Sequence, residues 1–191
     1  KTLKFTSKLI WPLFAWFIVF ADHLIPLVFT GDYSAAVAPF RIYLAMMPLR
    51  IASFGVLMIA MGRPRVVFWA ATVSLGINFA LNILFAVTFG FVGPAIATVV
   101  SSYFHVALLL VIIVKGLGVG YADVLPWRHF FSVGVTCGFA VSIAYGVTYT
   151  MTSDAGVVVL SFIVFKVAYL FLGGRAGFIR FSDFLTLAGG A

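Results

Sequence analysis

Glutamate is missing from this 191-residue chain, whose only carboxylates are Asp22, Asp32, Asp123, Asp154 and Asp183. None of the five lies at the middle of a long apolar run. A general acid–base pair of carboxylates, or a buried acid that trades a proton for a cation, therefore has no foundation in the apolar segments. Cysteine is nearly missing too: Cys137 stands alone, so no intrachain disulfide and no cysteine-based zinc site can form. Phosphate-binding loops, metal-ligand clusters and a serine–histidine–aspartate set are not found at workable spacings. Charge is scarce as well: 9% of residues are charged, against about 25% in soluble domains.

What fills the chain is apolar. Hydrophobic residues make up 64% and the mean hydropathy is +1.20, an excess that a water-soluble core cannot absorb, so the solvent is lipid. A span needs about 20 apolar residues to cross the hydrocarbon layer. Six segments meet this: 9–29, 36–61, 66–88, 92–114, 129–150 and 155–174. The fold class expected is an all-α polytopic membrane protein. The first run is long, Trp-rich and without a small-residue cleavage pattern, so it reads as a span and not as a signal peptide.

The basic residues orient these spans. Nine of the 12 Lys and Arg fall at one set of ends: Lys1, Lys4, Lys8, Arg63, Arg65, Lys115, Arg128, Arg175 and Arg180. The opposite connections, 30–35, 89–91 and 151–154, carry only Asp32 and Asp154. Basic loops stay cytoplasmic, so both ends of the chain are expected there. Trp11, Trp69 and Trp127 near the proposed cytoplasmic ends, and Tyr33 and Tyr149 near the outer ones, suit interfacial positions. The formal charge of +7 is thereby explained without nucleic acid, because the cations sit at helix ends and not on one face.

Connections divide the chain into residues 1–115, holding four spans, a cytoplasmic connection over 116–128, a final pair over 129–174 and a tail over 175–191. Gly31-Asp32-Tyr33-Ser34, Phe89-Gly90-Phe91 and Gly62-Arg63-Pro64-Arg65 have turn chemistry, with Pro64 placed to open a helix. Small residues recur at four-residue spacing: Ala70, Ser74, Asn78 and Asn82; Gly93, Ala97 and Ser101; Gly134, Gly138, Ser142 and Gly146. Such spacing keeps each set on one helix face, where backbones can approach closely.

Three cations remain inside spans, where charge is costly and usually functional. Arg50 is the deepest. It should face a water-filled cavity, an acid, a carbonyl cap or an anionic ligand. Pro48, two residues before it, removes a backbone donor and gives either a static kink or a hinge. Arg41 lies a turn or two inside the outer end and Lys166 lies toward the cytoplasmic side. Each either snorkels to the headgroups or serves a cavity. Asn78 and Asn82, one turn apart, either pair between helices or line a polar cavity. His105 continues the small stripe of its helix and is either a hydrogen-bonded core histidine or a proton-responsive group. Cys137 reads as a small packing residue.

An ordered series of motifs adds a resemblance. Phe29-Thr30-Gly31-Asp32-Tyr33-x-x-Ala36 leads to a helix with Pro39, Phe40 and Arg41. That helix ends in Met61-Gly62-Arg63-Pro64. The Asn78-x-x-x-Asn82 helix follows, and then Phe89-Gly90-Phe91-Val92-Gly93-Pro94-Ala95-Ile96-Ala97-Thr98. Over roughly residues 10–172 this resembles the C-terminal half of bacterial polysaccharide flippases, the O-antigen and teichoic-acid exporters of the multidrug/oligosaccharidyl-lipid/polysaccharide superfamily. The resemblance implies a two-lobe fold of fourteen helices in the bacterial plasma membrane, of which this chain would supply the ninth to fourteenth. It implies flipping of lipid-linked glycans by alternating access, with Arg50 meeting the diphosphate and Arg41, Lys166, Asn78, Asn82 and His105 behind it. Expected partners are the lipid-linked glycan, membrane lipid, a coupling proton or sodium ion, and the N-terminal lobe of the same parent chain. No cofactor and no bond-making step is implied. A lipid II flippase shares the pattern. A multidrug cation antiporter of the same superfamily is disfavoured by the lack of a mid-span acid, and a membrane enzyme by the short outer loops.

Overall fold

A computed structural model describes residues 2–29 and 31–179. All of its regular structure is helical: α1 Thr2–Phe29, α2 Val37–Leu44, α3 Phe54–Ala60, α4 Pro64–Phe89, α5 Gly93–Leu117, α6 Tyr121–Val124, α7 Trp127–Thr148 and α8 Asp154–Arg175. Short 3-10 turns over Gly31–Ala36, Met47–Ile51 and Gly90–Val92 join some of them. Four helical stretches are long and apolar enough to cross a membrane: Leu3–Phe29, Pro64–Leu117, Trp127–Thr148 and Asp154–Arg175. The second of these folds back at Gly90 and so supplies two passes, α4 and α5. A bent pair, Gly31–Leu44 with Met47–Ala60, is long and apolar enough to cross only when its two arms are taken together. The chain is an all-α polytopic membrane protein.

The helices group into two compact units, one built from residues up to Ser34 together with those from Pro126 onward, the other from Ala35–Leu125. In the first, α1 packs with α7 and α8 around Trp16, Phe20, Val133, Cys137, Ala140 and Phe165. The first helix thus joins the final pair, although 116–128 is the longest internal connection. Directional contacts fix the register. His129 Nε2 lies 3.2 Å from the Lys4 carbonyl oxygen, so α1 and α7 start at the same end. The Tyr169 hydroxyl donates to the Lys8 carbonyl at 3.0 Å, and His23 Nδ1 meets Asp154 Oδ1 at 2.7 Å, so α8 runs antiparallel to both. Lys4, Lys8, Arg128 and Arg175 consequently gather at one end of this unit, and Asp22 and Asp154 at the other. His23 and Asp154 thus link α1 to α8 through a solvent-exposed pair.

Small residues on α7 do not pack as their spacing suggested. Val133, Thr136, Cys137, Ala140, Ala144 and Thr148 are buried, while Gly138, Ser142 and Gly146 are exposed. The buried face is a different stripe of small residues, Thr136, Cys137, Ala140 and Ala144, while Phe131, Phe139 and Tyr145 face outward, where lipid accepts large apolar side chains as readily as a protein interior does.

In the second unit the small stripes do pack. Ala70 and Ser74 of α4, and Gly93, Ala97 and Ser101 of α5, are buried in a tight antiparallel hairpin. Pro64 occupies the first turn of α4, where its missing N–H costs nothing. Gly90 turns the chain at φ 58°, a left-handed conformation that favours glycine. At Gly93 a Cβ would run into the Phe85 carbonyl, so only glycine lets α5 start there. Arg63, Arg65 and Lys115 lie at one end of this unit, with the Arg63 guanidinium beside Gly116.

Residues 36–61, expected as one span, form a broken one. Pro48 lacks an N–H, and its ring would clash with the carbonyl four residues earlier, that of Leu44; α2 ends at Leu44. The chain then takes a 3-10 turn over Met47–Ile51, passes through extended Ala52 at φ −118° and ψ 117°, and re-enters a helix at Phe54. The two arms differ in direction by 41°. The tail expected over 175–191, including Arg180, extends beyond the described residues.

Candidate functional site

The break shapes a cleft against the α4–α5 hairpin. It encloses about 470 Å³. Met46, Leu49 and Arg50 come from the broken segment, Ser74 and Asn78 from α4, and Thr98, Ser101, Ser102 and His105 from α5. Every one of these residues belongs to the second unit. The broken span runs parallel to α5: the Tyr103 hydroxyl donates to the Ala45 carbonyl at 2.8 Å, and Met58 packs with Leu109 and Ile113. Arg50 is thereby level with the middle of α5.

The Tyr103 bond has a local cause. Ending α2 at Leu44 leaves carbonyls without the amide four residues on, and in lipid each must find a donor elsewhere. Ala45 finds Tyr103. The same bond holds the start of the 3-10 turn that carries Arg50.

The floor of the cleft is a hydrogen-bonded polar ladder. The Asn78 carboxamide donates to Ser101 Oγ at 2.9 Å. Asn82 donates to Asn78 Oδ1 at 3.0 Å and to the Asn78 backbone carbonyl at 2.9 Å. Ser74 Oγ and His105 Nδ1 are 3.2 Å apart. Ser101 and Ser102 both return their hydroxyl protons to the Thr98 carbonyl, at 3.0 and 2.7 Å. Ser74 and Ser101 are buried, Asn78 and His105 half-buried, and Arg50 exposed. The order from floor to mouth is therefore hydroxyl, amide and imidazole, then guanidinium. Among the described residues, the lining carries one permanent cation and no carboxylate.

Of the residues singled out from sequence, Arg50, Asn78 and His105 line this cleft, with Asn82 bonded behind Asn78 and Pro48 making the break. Arg41 is half-buried on α2 and is not among the lining residues. Lys166 belongs to the first unit, exposed on α8 with Nζ 5.4 Å from the centre of the Phe162 ring. Ser74, Thr98, Ser101 and Ser102 carry site polarity that the sequence reading had assigned to packing or passed over. Their signal was present: Ser74, Asn78 and Asn82, and likewise Ser101 and His105, follow one another at four-residue steps.

Comparison with protein-family models, with curated proteins and with solved structures finds no match.

Proposed function

We propose that this chain is part of a flippase for lipid-linked oligosaccharide or polysaccharide precursors in the bacterial plasma membrane, and that the cleft at Arg50 receives the anionic headgroup during alternating access. The observation that carries this is a guanidinium level with the middle of α5, at the mouth of a cavity whose described lining has no carboxylate. A cation in the hydrocarbon layer needs a negative partner, and a planar guanidinium suits phosphate oxygens through paired N–H contacts. The amides and hydroxyls of Asn78, Ser101 and Ser102 suit the hydroxyl-rich glycan next to that phosphate. The glycan passes through the cavity while the polyprenyl tail stays in lipid, and no covalent bond changes. The broken segment supplies a means of motion: a turn held by one side-chain bond from Tyr103 can tilt without unravelling a continuous helix. A multidrug cation antiporter would want an acid where Arg50 stands.

The test is Arg50→Ala in the full-length protein, with glycan export and membrane abundance measured together. Charge-assisted hydrogen bonds contribute about 1.5–3 kcal/mol, so export should fall about tenfold or more at unchanged abundance, with Arg50→Lys in between. Export at the normal rate would remove the proposal's support.

A further inference from the structure

The α4–α5 hairpin carries a second groove, away from the cleft and independent of the flippase reading. It encloses about 320 Å³. Arg65, Trp69 and Val73 line it from α4, and Leu108 and Ile112 from α5. The cleft takes Ala71 and Leu75, which lie across α4 from Trp69 and Val73. Two bonds set the register of the hairpin, Asn78 to Ser101 at 2.9 Å and Ser74 to His105 at 3.2 Å. Four residues back along α4 thus match four residues forward along α5. Continued at that step, Arg65 is level with Val114, and the Arg63 guanidinium beside Gly116 fits the same register. Lys115 therefore stands within about one residue of the level of Arg65, on the helix face that Leu108 and Ile112 begin. Arg65 is in the first turn of α4, at the end of the hairpin, and Val73 lies about 12 Å further in.

Among the described residues, neither the exposed Arg65 guanidinium nor the exposed Trp69 indole N–H makes a hydrogen bond or an ion pair. The two side chains are one helical turn apart, and the Phe68 ring meets the Trp69 ring edge-on at 5.5 Å. Asp123, the only carboxylate of this unit, accepts from the Gly120 N–H at 3.1 Å. Below Arg65 and Trp69 the walls are apolar. Hydrogen-bond donors and positive charge at the end of a membrane-crossing hairpin, above an apolar trough, match an acidic lipid: a phosphate for the donors, an acyl chain for the walls. A free anion would leave Val73, Leu108 and Ile112 without a partner, and a zwitterionic headgroup brings a cation of its own toward Arg65 and Lys115. We propose that this groove binds an anionic glycerophospholipid of the surrounding bilayer, its phosphate at Arg65 and Trp69 and one acyl chain along Val73, Leu108 and Ile112.

Native mass spectrometry of the full-length protein in neutral detergent tests this, with phosphatidylglycerol and phosphatidylcholine of matched chains as probes. Phosphatidylglycerol should remain bound under conditions that strip phosphatidylcholine. Arg65→Gln should weaken its retention about fivefold, and Lys115→Gln by less. Leu108→Trp, which fills the trough and keeps Arg65 and Trp69, should abolish it. Arg50→Ala, in the cleft, should leave it unchanged, so failure here and failure of the flippase reading are separable. Thermal unfolding identifies any variant that does not fold, and the comparison of the two lipids on the unaltered protein stands regardless. Equal retention of both lipids overturns the proposal. So does unaltered binding in folded Arg65→Gln or Leu108→Trp, or displacement of the lipid by millimolar inorganic phosphate. A dimer mass that Leu108→Trp converts to monomer would assign the groove to a second copy of the chain and overturn it as well.

Discussion

Asn78 is the residue on which the polar floor turns. Its carboxamide gives a proton to Ser101 and accepts one from Asn82, so one side chain joins α4 to α5 and satisfies a neighbouring amide. Hydrogen bonds between membrane helices are modest, about 0.6 kcal/mol on average. Replacing Asn78 with alanine removes one such bond, to Ser101, and the bond from Asn82 within α4, and should cost about 1 kcal/mol in a detergent unfolding titration. Asn82→Ala, whose amide also leans on a backbone carbonyl of its own helix, should cost less. Equal losses would mean the link to Ser101 adds nothing. Sequence alone placed Asn78 and Asn82 on one face. Which of them would cross to α5 depended on the axial offset of the hairpin, a quantity absent from periodicity.

At the scale of elements, the α4–α5 hairpin and the broken span behave differently. The hairpin is held by close backbone approach. A methyl at Gly93 meets the Phe85 carbonyl, so Gly93→Ala should destabilise by about 1–3 kcal/mol. Gly76→Ala, on the open side of α4, should be neutral or should stabilise by up to about 1 kcal/mol. Thermal unfolding of both variants side by side checks this, and a similar response from the two would sink the close-approach account. The broken span was legible only in part. Pro48 and its consequence for Leu44 follow from ring sterics. That the chain would answer with a 3-10 turn, an extended Ala52 and a borrowed donor from Tyr103 follows from where α5 lies.

For the molecule as a whole, charge placement predicts sidedness. Within each unit the basic residues collect at one end, Lys4, Lys8, Arg128 and Arg175 in the first and Arg63, Arg65 and Lys115 in the second. Positive loops are retained in the cytoplasm. After Cys137→Ser removes the one buried thiol, a membrane-impermeant thiol reagent applied to intact cells should label Ser34→Cys and Thr150→Cys. It should reach Tyr121→Cys only after permeabilisation. Labelling of Tyr121→Cys in intact cells would reverse the topology.

Composition and run length were enough to determine an all-α membrane protein, its near-span boundaries and its turns, because lipid imposes length and charge rules on each helix separately. Which helix lies beside which was decided only in three dimensions. Lipid-facing and protein-facing surfaces are equally apolar, so hydrophobicity could not say that α1 would join α7 and α8, or that α7 would bury Val133 and Cys137 and leave Gly138 outside. The cleft is a product of such pairings and is not written in any single helix.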